Sequence, residues 1–145
     1  MSRPKIVIDT NVLVAGLRSR RGSSFALLNL IGKNHFDIVL SVPLMMEYEA
    51  VLNRPELVPV STQAVAAVLD FLCSVGICQD IFYLWRPRLR DANDDHVLEL
   101  AMNANAKTIV THNVRDFVAA HELGVSVVAP AKFLESLKIV RRKKL

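Results

Sequence analysis

The sequence predicts an α/β fold, a three-layer α/β/α sandwich around a central, mostly parallel sheet. Short runs rich in Val and Ile alternate with helix-period segments along its 145 residues. Each run is apolar on both faces rather than alternating, as expected of strands covered by helices on either side. The segments between the runs carry their own start and stop residues, which makes right-handed crossovers the natural connection.

The strands are expected at Lys5–Asp9, Phe36–Leu40, Thr108–Thr111 and Val125–Val128. Ser23 or Ser24 caps a helix running to about Lys33, and Pro43 suits the first turn of the next, which ends near "NRP", where Pro55 cannot continue it. Ser61 or Thr62 starts another, with Val65, Val68, Leu69, Leu72 and Val75 as its apolar stripe and Gly76 as its stop. A helix from about Asp94 carries Val97, Leu98 and Ala101. The next, about Val114 to Leu123, ends at Gly124, and a last one holds Phe133, Leu134 and Leu137. The organisation expected is a single domain over residues 1–137 and a basic tail over 138–145.

Composition bounds the function. With 52% hydrophobic residues the chain can bury a sizeable core. No stretch approaches the roughly 20 apolar residues of a membrane helix, and "MSRPKIVID" contains no signal-peptide core. The expectation is a cytoplasmic protein without a membrane partner. Cys73 and Cys78 lie in apolar surroundings without CxxC or Cys/His spacing, and are expected to be reduced structural thiols. Net charge is +4. Eleven of the 18 Lys and Arg fall in three clusters: Arg18, Arg20 and Arg21; Arg86, Arg88 and Arg90; and Lys138 with Arg141, Arg142, Lys143 and Lys144. That distribution favours a polyanionic partner.

The acids point to chemistry. In open α/β sheets, ligands bind beyond the carboxyl ends of the strands. Asp9 stands at such an end, after Ile6-Val7-Ile8, and Thr111-His112-Asn113 stands at another, after Ile109-Val110. Asp9 therefore reads as the floor of a cleft. Glu47 projects from the same side of its helix as Leu44, Tyr48 and Val51, and an acid at that edge costs free energy unless paired or metal-bound. Asp94 and Asp95 in "RDANDDHVLELA" and Asp116 in "THNVRDF" stand near helix starts, where capping alone explains an acid. Taken together, these acids sit at positions that a sandwich brings to one edge. Crowded carboxylates repel unless cations neutralise them, and an oxygen-only ligand set points to Mg²⁺ or Mn²⁺ rather than zinc. Such ions polarise phosphodiesters and acidify water, while Arg18, Arg20, Arg21, Arg86, Arg88 and Arg90 would hold the nucleic-acid backbone around the cleft. The histidines, His35, His96, His112 and His121, read as ordinary surface or boundary residues, with His112 alone near the proposed edge.

"IVIDTNVLVAG", "PLMMEYEAVLNRP", "DANDDHVLELA" and "TIVTHNVRDF" resemble, in order, the sequence blocks of PIN-domain nucleases, and most of all the VapC-like toxin components of toxin–antitoxin pairs. The resemblance runs from Lys5 to about Leu137. It implies a metal-dependent ribonuclease acting on RNA, commonly a homodimer, silenced by an antitoxin protein. Carried over block by block, the catalytic acids are Asp9, Glu47, Asp95 and Asp116, with Asp94 as a further metal ligand because the doublet leaves the third position open by one residue. Asn11, Thr111 and Asn113 match supporting polar positions.

Other functions fit less well. A haloacid-dehalogenase-like phosphatase wants a second Asp where Asn11 stands, and a receiver domain wants an acid pair after the first strand. A non-catalytic RNA-binding module on a PIN-like scaffold is the remaining alternative.

Overall fold

A computed structural model describes residues 3–81 and 94–143. Strands β1 (Lys5–Ile8), β2 (Asp37–Leu40), β3 (Ile77–Cys78), β4 (Thr108–Val110) and β5 (Ser126–Val128) form one parallel sheet in the order β3-β2-β1-β4-β5. The helices are α1 (Thr10–Arg18), α2 (Ser23–Leu30), α3 (Val42–Leu52), α4 (Thr62–Val75), α5 (Asp95–Asn103) and α6 (Pro130–Lys143), with a 3₁₀ segment over Val114–Leu123. The α/β fold class expected from the two-sided apolar runs is therefore the one observed. Among the described residues no helix is long and apolar enough to cross a membrane.

The core sits on the middle strands. Ile6, Val7, Ile109 and Val110 are fully buried, and α5 covers β1, β2 and β4 with Val97, Leu98, Leu100 and Ala101. Local signals set several helix starts. Ser41 Oγ accepts from the Leu44 N–H at 3.2 Å and Ser61 Oγ from the Ala64 N–H at 3.0 Å, capping α3 and α4.

Several features differ from the sequence expectation or were not part of it. Helix α2 has Gly22 as its N-cap and no side-chain capping bond, so neither Ser23 nor Ser24 caps it. Helix α1 follows β1 at once, in a stretch for which no element was expected. Burying Val12 and Leu13 contributes roughly 1.5–3 kcal/mol each, several times what a valine costs in a helix. β3 escapes notice because it has only two residues, both exposed. The segment after β4 is 3₁₀ rather than α-helical and is kinked at Phe117, whose ring is fully buried. Helix α6 runs on to Lys143, into the expected tail. The cysteines are free but exposed, so they are not core thiols. They line a shallow groove of about 400 Å³ with Val42, Met45, Met46 and Leu69.

Gly76 does stop α4, but not through a left-handed conformation: its φ is −84°. A Cβ there would stand 2.6 Å from Leu40 Cδ1 and 2.8 Å from the Leu72 carbonyl oxygen. The backbone oxygen cannot move aside cheaply, so Gly76→Ala is expected to destabilise the fold by about 1–3 kcal/mol. Urea unfolding measures this, and a loss below about 0.5 kcal/mol, the usual scatter of surface substitutions, would contradict the close approach.

Candidate functional site

The strand order has a topological switch. From β1 the chain proceeds to β2 on one side, while β4 pairs with β1 on the other, and in such sheets the crevice opens at the carboxyl ends of the two strands flanking the switch. Ile8 pairs in register with Val110, and the Asp9 N–H donates to the Val110 carbonyl at 2.9 Å. The next residues along, Asp9 and Thr111, therefore emerge side by side. Both are buried, and Thr111 Oγ1 donates to Asp9 Oδ2 at 2.7 Å.

Neighbouring groups fix this pair. Asp9 Oδ1 accepts from the Thr10 N–H at 2.9 Å, which makes Asp9 the N-cap of α1. Asn11 Nδ2 donates to Asp9 Oδ2 at 3.2 Å, and the Asn113 N–H donates to Thr111 Oγ1 at 3.0 Å. All four polar residues expected at the strand ends thus join one network. Burial, above all, lifts the Asp9 carboxyl above its usual 3.8. The Thr111 and Thr10 hydrogen bonds oppose the rise and the Glu47 charge adds to it.

Glu47 arrives from α3. Buried Tyr48 donates its hydroxyl to the Ile8 carbonyl, which ties α3 to the last residue of β1. One residue earlier, Glu47 turns its carboxylate to α1 and α5. Its Oε2 accepts from Thr10 Oγ1 and its Oε1 lies 3.3 Å from His96 Nε2. Its partners are therefore a histidine and a threonine.

His96, which the sequence did not single out, meets Glu47 at this site. It is half-buried in the first turn of α5 rather than an ordinary surface group. The available signal was its place directly after Asp94-Asp95, at a helix start aimed at the strand ends. The His96 hydrogen bond, with help from Thr10, holds the Glu47 carboxyl below its usual 4.5 against the cost of burial. Burial alone would depress the His96 ring, but the Glu47 hydrogen bond and the charges of Glu47, Asp9 and Asp94 outweigh it and raise its pKa above 6.5.

The signs give a pH window. The lowered Glu47 value stabilises the fold above pH 4.5, with the gain lost as pH falls through its folded value. The raised His96 value stabilises it below pH 6.5, with the gain lost as pH rises through its folded value. His96→Gln is therefore expected to lose most stability between those limits, by a few tenths to about 1 kcal/mol for a partly exposed pair. Urea midpoints of both proteins across pH test this; a difference that stays constant with pH would refute the pairing.

The other acids are placed less closely. Asp94 is half-buried at the N-cap of α5 without a side-chain capping bond, and its charge acts on His96. Asp95 is buried in the first turn. Asp116 is half-buried at the start of the 3₁₀ segment, where its N–H donates to the Asn113 carbonyl at 2.9 Å. Among the described residues, no three acidic, His or Cys side chains converge closely enough to hold a metal ion. The donor chemistry nonetheless fits a hard divalent cation: the Asp9 and Glu47 carboxylates lie on either side of Thr10, and burial together with the Glu47 charge disfavours the ionised form of Asp9. Arg18, Arg20 and Arg21 are exposed at the end of α1 and in the loop before α2. Arg86, Arg88 and Arg90 lie outside the described residues.

A family model described as PIN domain matches residues 5–115. Among solved structures, a chain of VapBC2 from Rickettsia felis, crystallised bound to a DNA fragment from its promoter, has a similar fold, with a TM-score of 0.57 and 18% identity. The match covers 85% of this chain and 96% of that one. No curated protein matches the sequence.

Proposed function

This chain belongs to the PIN-domain family, and from that premise we propose that it is an endoribonuclease dependent on Mg²⁺ or Mn²⁺ that hydrolyses RNA phosphodiester bonds. The observation that carries the reading is Asp9, buried at the β1–β4 switch and bonded to Thr111, with Glu47 one residue away across Thr10.

Asp9, Glu47, Asp116 and one of Asp94 and Asp95 would hold the cation. Both acids of the doublet stand at the start of α5, next to the histidine that meets Glu47, and either would serve that place. A bound divalent ion supplies polarisation of the phosphodiester and an acidified water. The chain's own residues orient and exclude. Thr111 and Asn11 keep Asp9 in one rotamer, Thr10 and His96 do the same for Glu47, and Arg18, Arg20, Arg21, Arg86, Arg88 and Arg90 hold RNA phosphates outside the acidic floor.

We extend the reading to a toxin, acting in the cytoplasm on RNA, with an antitoxin protein as partner and a homodimer as the working form. The groove beside exposed Val42 and Met46 supports a protein partner, because apolar side chains of that size are seldom left to water in company. The alternative, an RNA-binding module without catalysis, draws on His96, which offsets the Glu47 charge without metal. Incubating the purified protein with defined single-stranded oligoribonucleotides, in Mg²⁺ and in excess chelator, separates the two.

A further inference from the structure

His112 Nε2 and Ser24 Oγ lie 2.7 Å apart, joining residues 88 positions apart in the chain. Ser24 is buried and His112 is exposed. The His112 backbone is held as well: its N–H donates to Asn11 Oδ1 at 3.2 Å, and Asn11 in turn donates to Asp9.

Helix α2 does not need this bond to keep its place. A Cβ on Gly16 of α1 would collide with Leu28 and stand 3.2 Å from the Ser24 carbonyl oxygen, and Leu27 is fully buried. The effect of the bond therefore falls on its exposed partner. It immobilises an imidazole that solvent would otherwise leave free to rotate, at a cost in rotamer entropy. A residue held at its backbone N–H and at ring Nε2, next in sequence to the threonine that binds Asp9, is pre-organised for contact with something outside the protein.

We infer that His112 contacts the RNA strand beside the scissile phosphodiester, its imidazole stacking on a nucleobase, and that Ser24 is a positioning residue that sets the ring's orientation. The inference rests on the ribonuclease reading. Unpaired bases of RNA stack on aromatic rings, His among them, and the exposed Arg20 and Arg21 just before α2 would draw the strand's phosphates to the same side.

The test pairs fluorescence anisotropy on a single-stranded oligoribonucleotide in chelator with cleavage kinetics in Mg²⁺. His112→Ala is expected to raise Kd and KM by about fivefold or more, as loss of one stacked base does, with a smaller change in kcat. Ser24→Ala should shift both in the same direction by less, and should add nothing in the His112→Ala background. His112→Gln, whose amide still reaches Ser24, should bind as weakly as the alanine variant, and it replaces that variant should the latter not fold. Kd and KM within about twofold of wild type for both His112 variants would overturn the contact. An undiminished Ser24→Ala effect in the His112→Ala background would overturn the positioning role. A wild-type protein that binds RNA but never cuts it sinks the ribonuclease reading and the placement beside a scissile bond, while the Kd series still judges the stacking contact of His112. One that binds no RNA overturns both.

Discussion

Asp9→Asn is expected to lower RNA cleavage by at least about a thousandfold, equivalent to about 4 kcal/mol of transition-state stabilisation, while leaving the fold as stable as before or more so. Two opposed effects decide this. The carboxylate is the group at the strand switch with the most protein donors aimed at it, and an amide cannot supply its charge to a cation. The same carboxylate is costly to the metal-free fold, because burial lifts its pKa above 3.8. The folded state therefore holds the proton more tightly than the unfolded chain. As pH rises through the window between those two values, ionisation of Asp9 costs stability. Asn carries no such cost, and its single oxygen can keep the Thr10 N–H cap of α1, leaving its NH₂ toward Thr111 Oγ1 in place of the second carboxylate oxygen. Above that window the variant should melt no lower than the wild type. Cleavage by Asp9→Asn above about a tenth of the wild-type rate would remove Asp9 from the reaction, since a metal-binding carboxylate is worth far more than one factor of ten.

Removing divalent metal is the second change of large effect. Excess EDTA should abolish cleavage, and Mg²⁺ or Mn²⁺ in excess of the chelator should restore it. A readout independent of activity accompanies this. A cation that binds only the folded chain at about a hundred times its Kd adds about 2.7 kcal/mol. In a protein of this size that corresponds to a rise in melting temperature of about 5 °C or more. The rise should vanish in Asp9→Asn, whose pocket has lost one carboxylate. Cleavage that persists in excess chelator would defeat the metal requirement. An equal thermal shift in the wild type and in Asp9→Asn would place the cation elsewhere.

The site was partly legible because its first elements sit where the hydrophobic pattern breaks. Asp9, Asn11, Thr111 and Asn113 follow two runs that are apolar on both faces, and a strand that stops at a polar residue marks the sheet edge whatever its neighbours are. Glu47 was legible for a related reason, an acid against an apolar helical stripe. His96 was not. Its spacing from Val97 and Leu98 suits an ordinary boundary residue, and only the crossing of α5 near α3 brings its ring within 3.3 Å of Glu47. The Ser24–His112 bond was hidden in the same way, its partners lying 88 residues apart.

The amino-acid order alone determined the class of the fold, its strand ends and the acids worth suspecting, because side-chain periodicity and chain punctuation are local properties. Tertiary structure decided the rest. Which strand lies beside β1 and which histidine meets Glu47 both depend on register between segments that meet only after long loops close. The helix at α1 belongs with these: its branched residues are unremarkable helix formers until burial of Val12 and Leu13 outweighs their local preference.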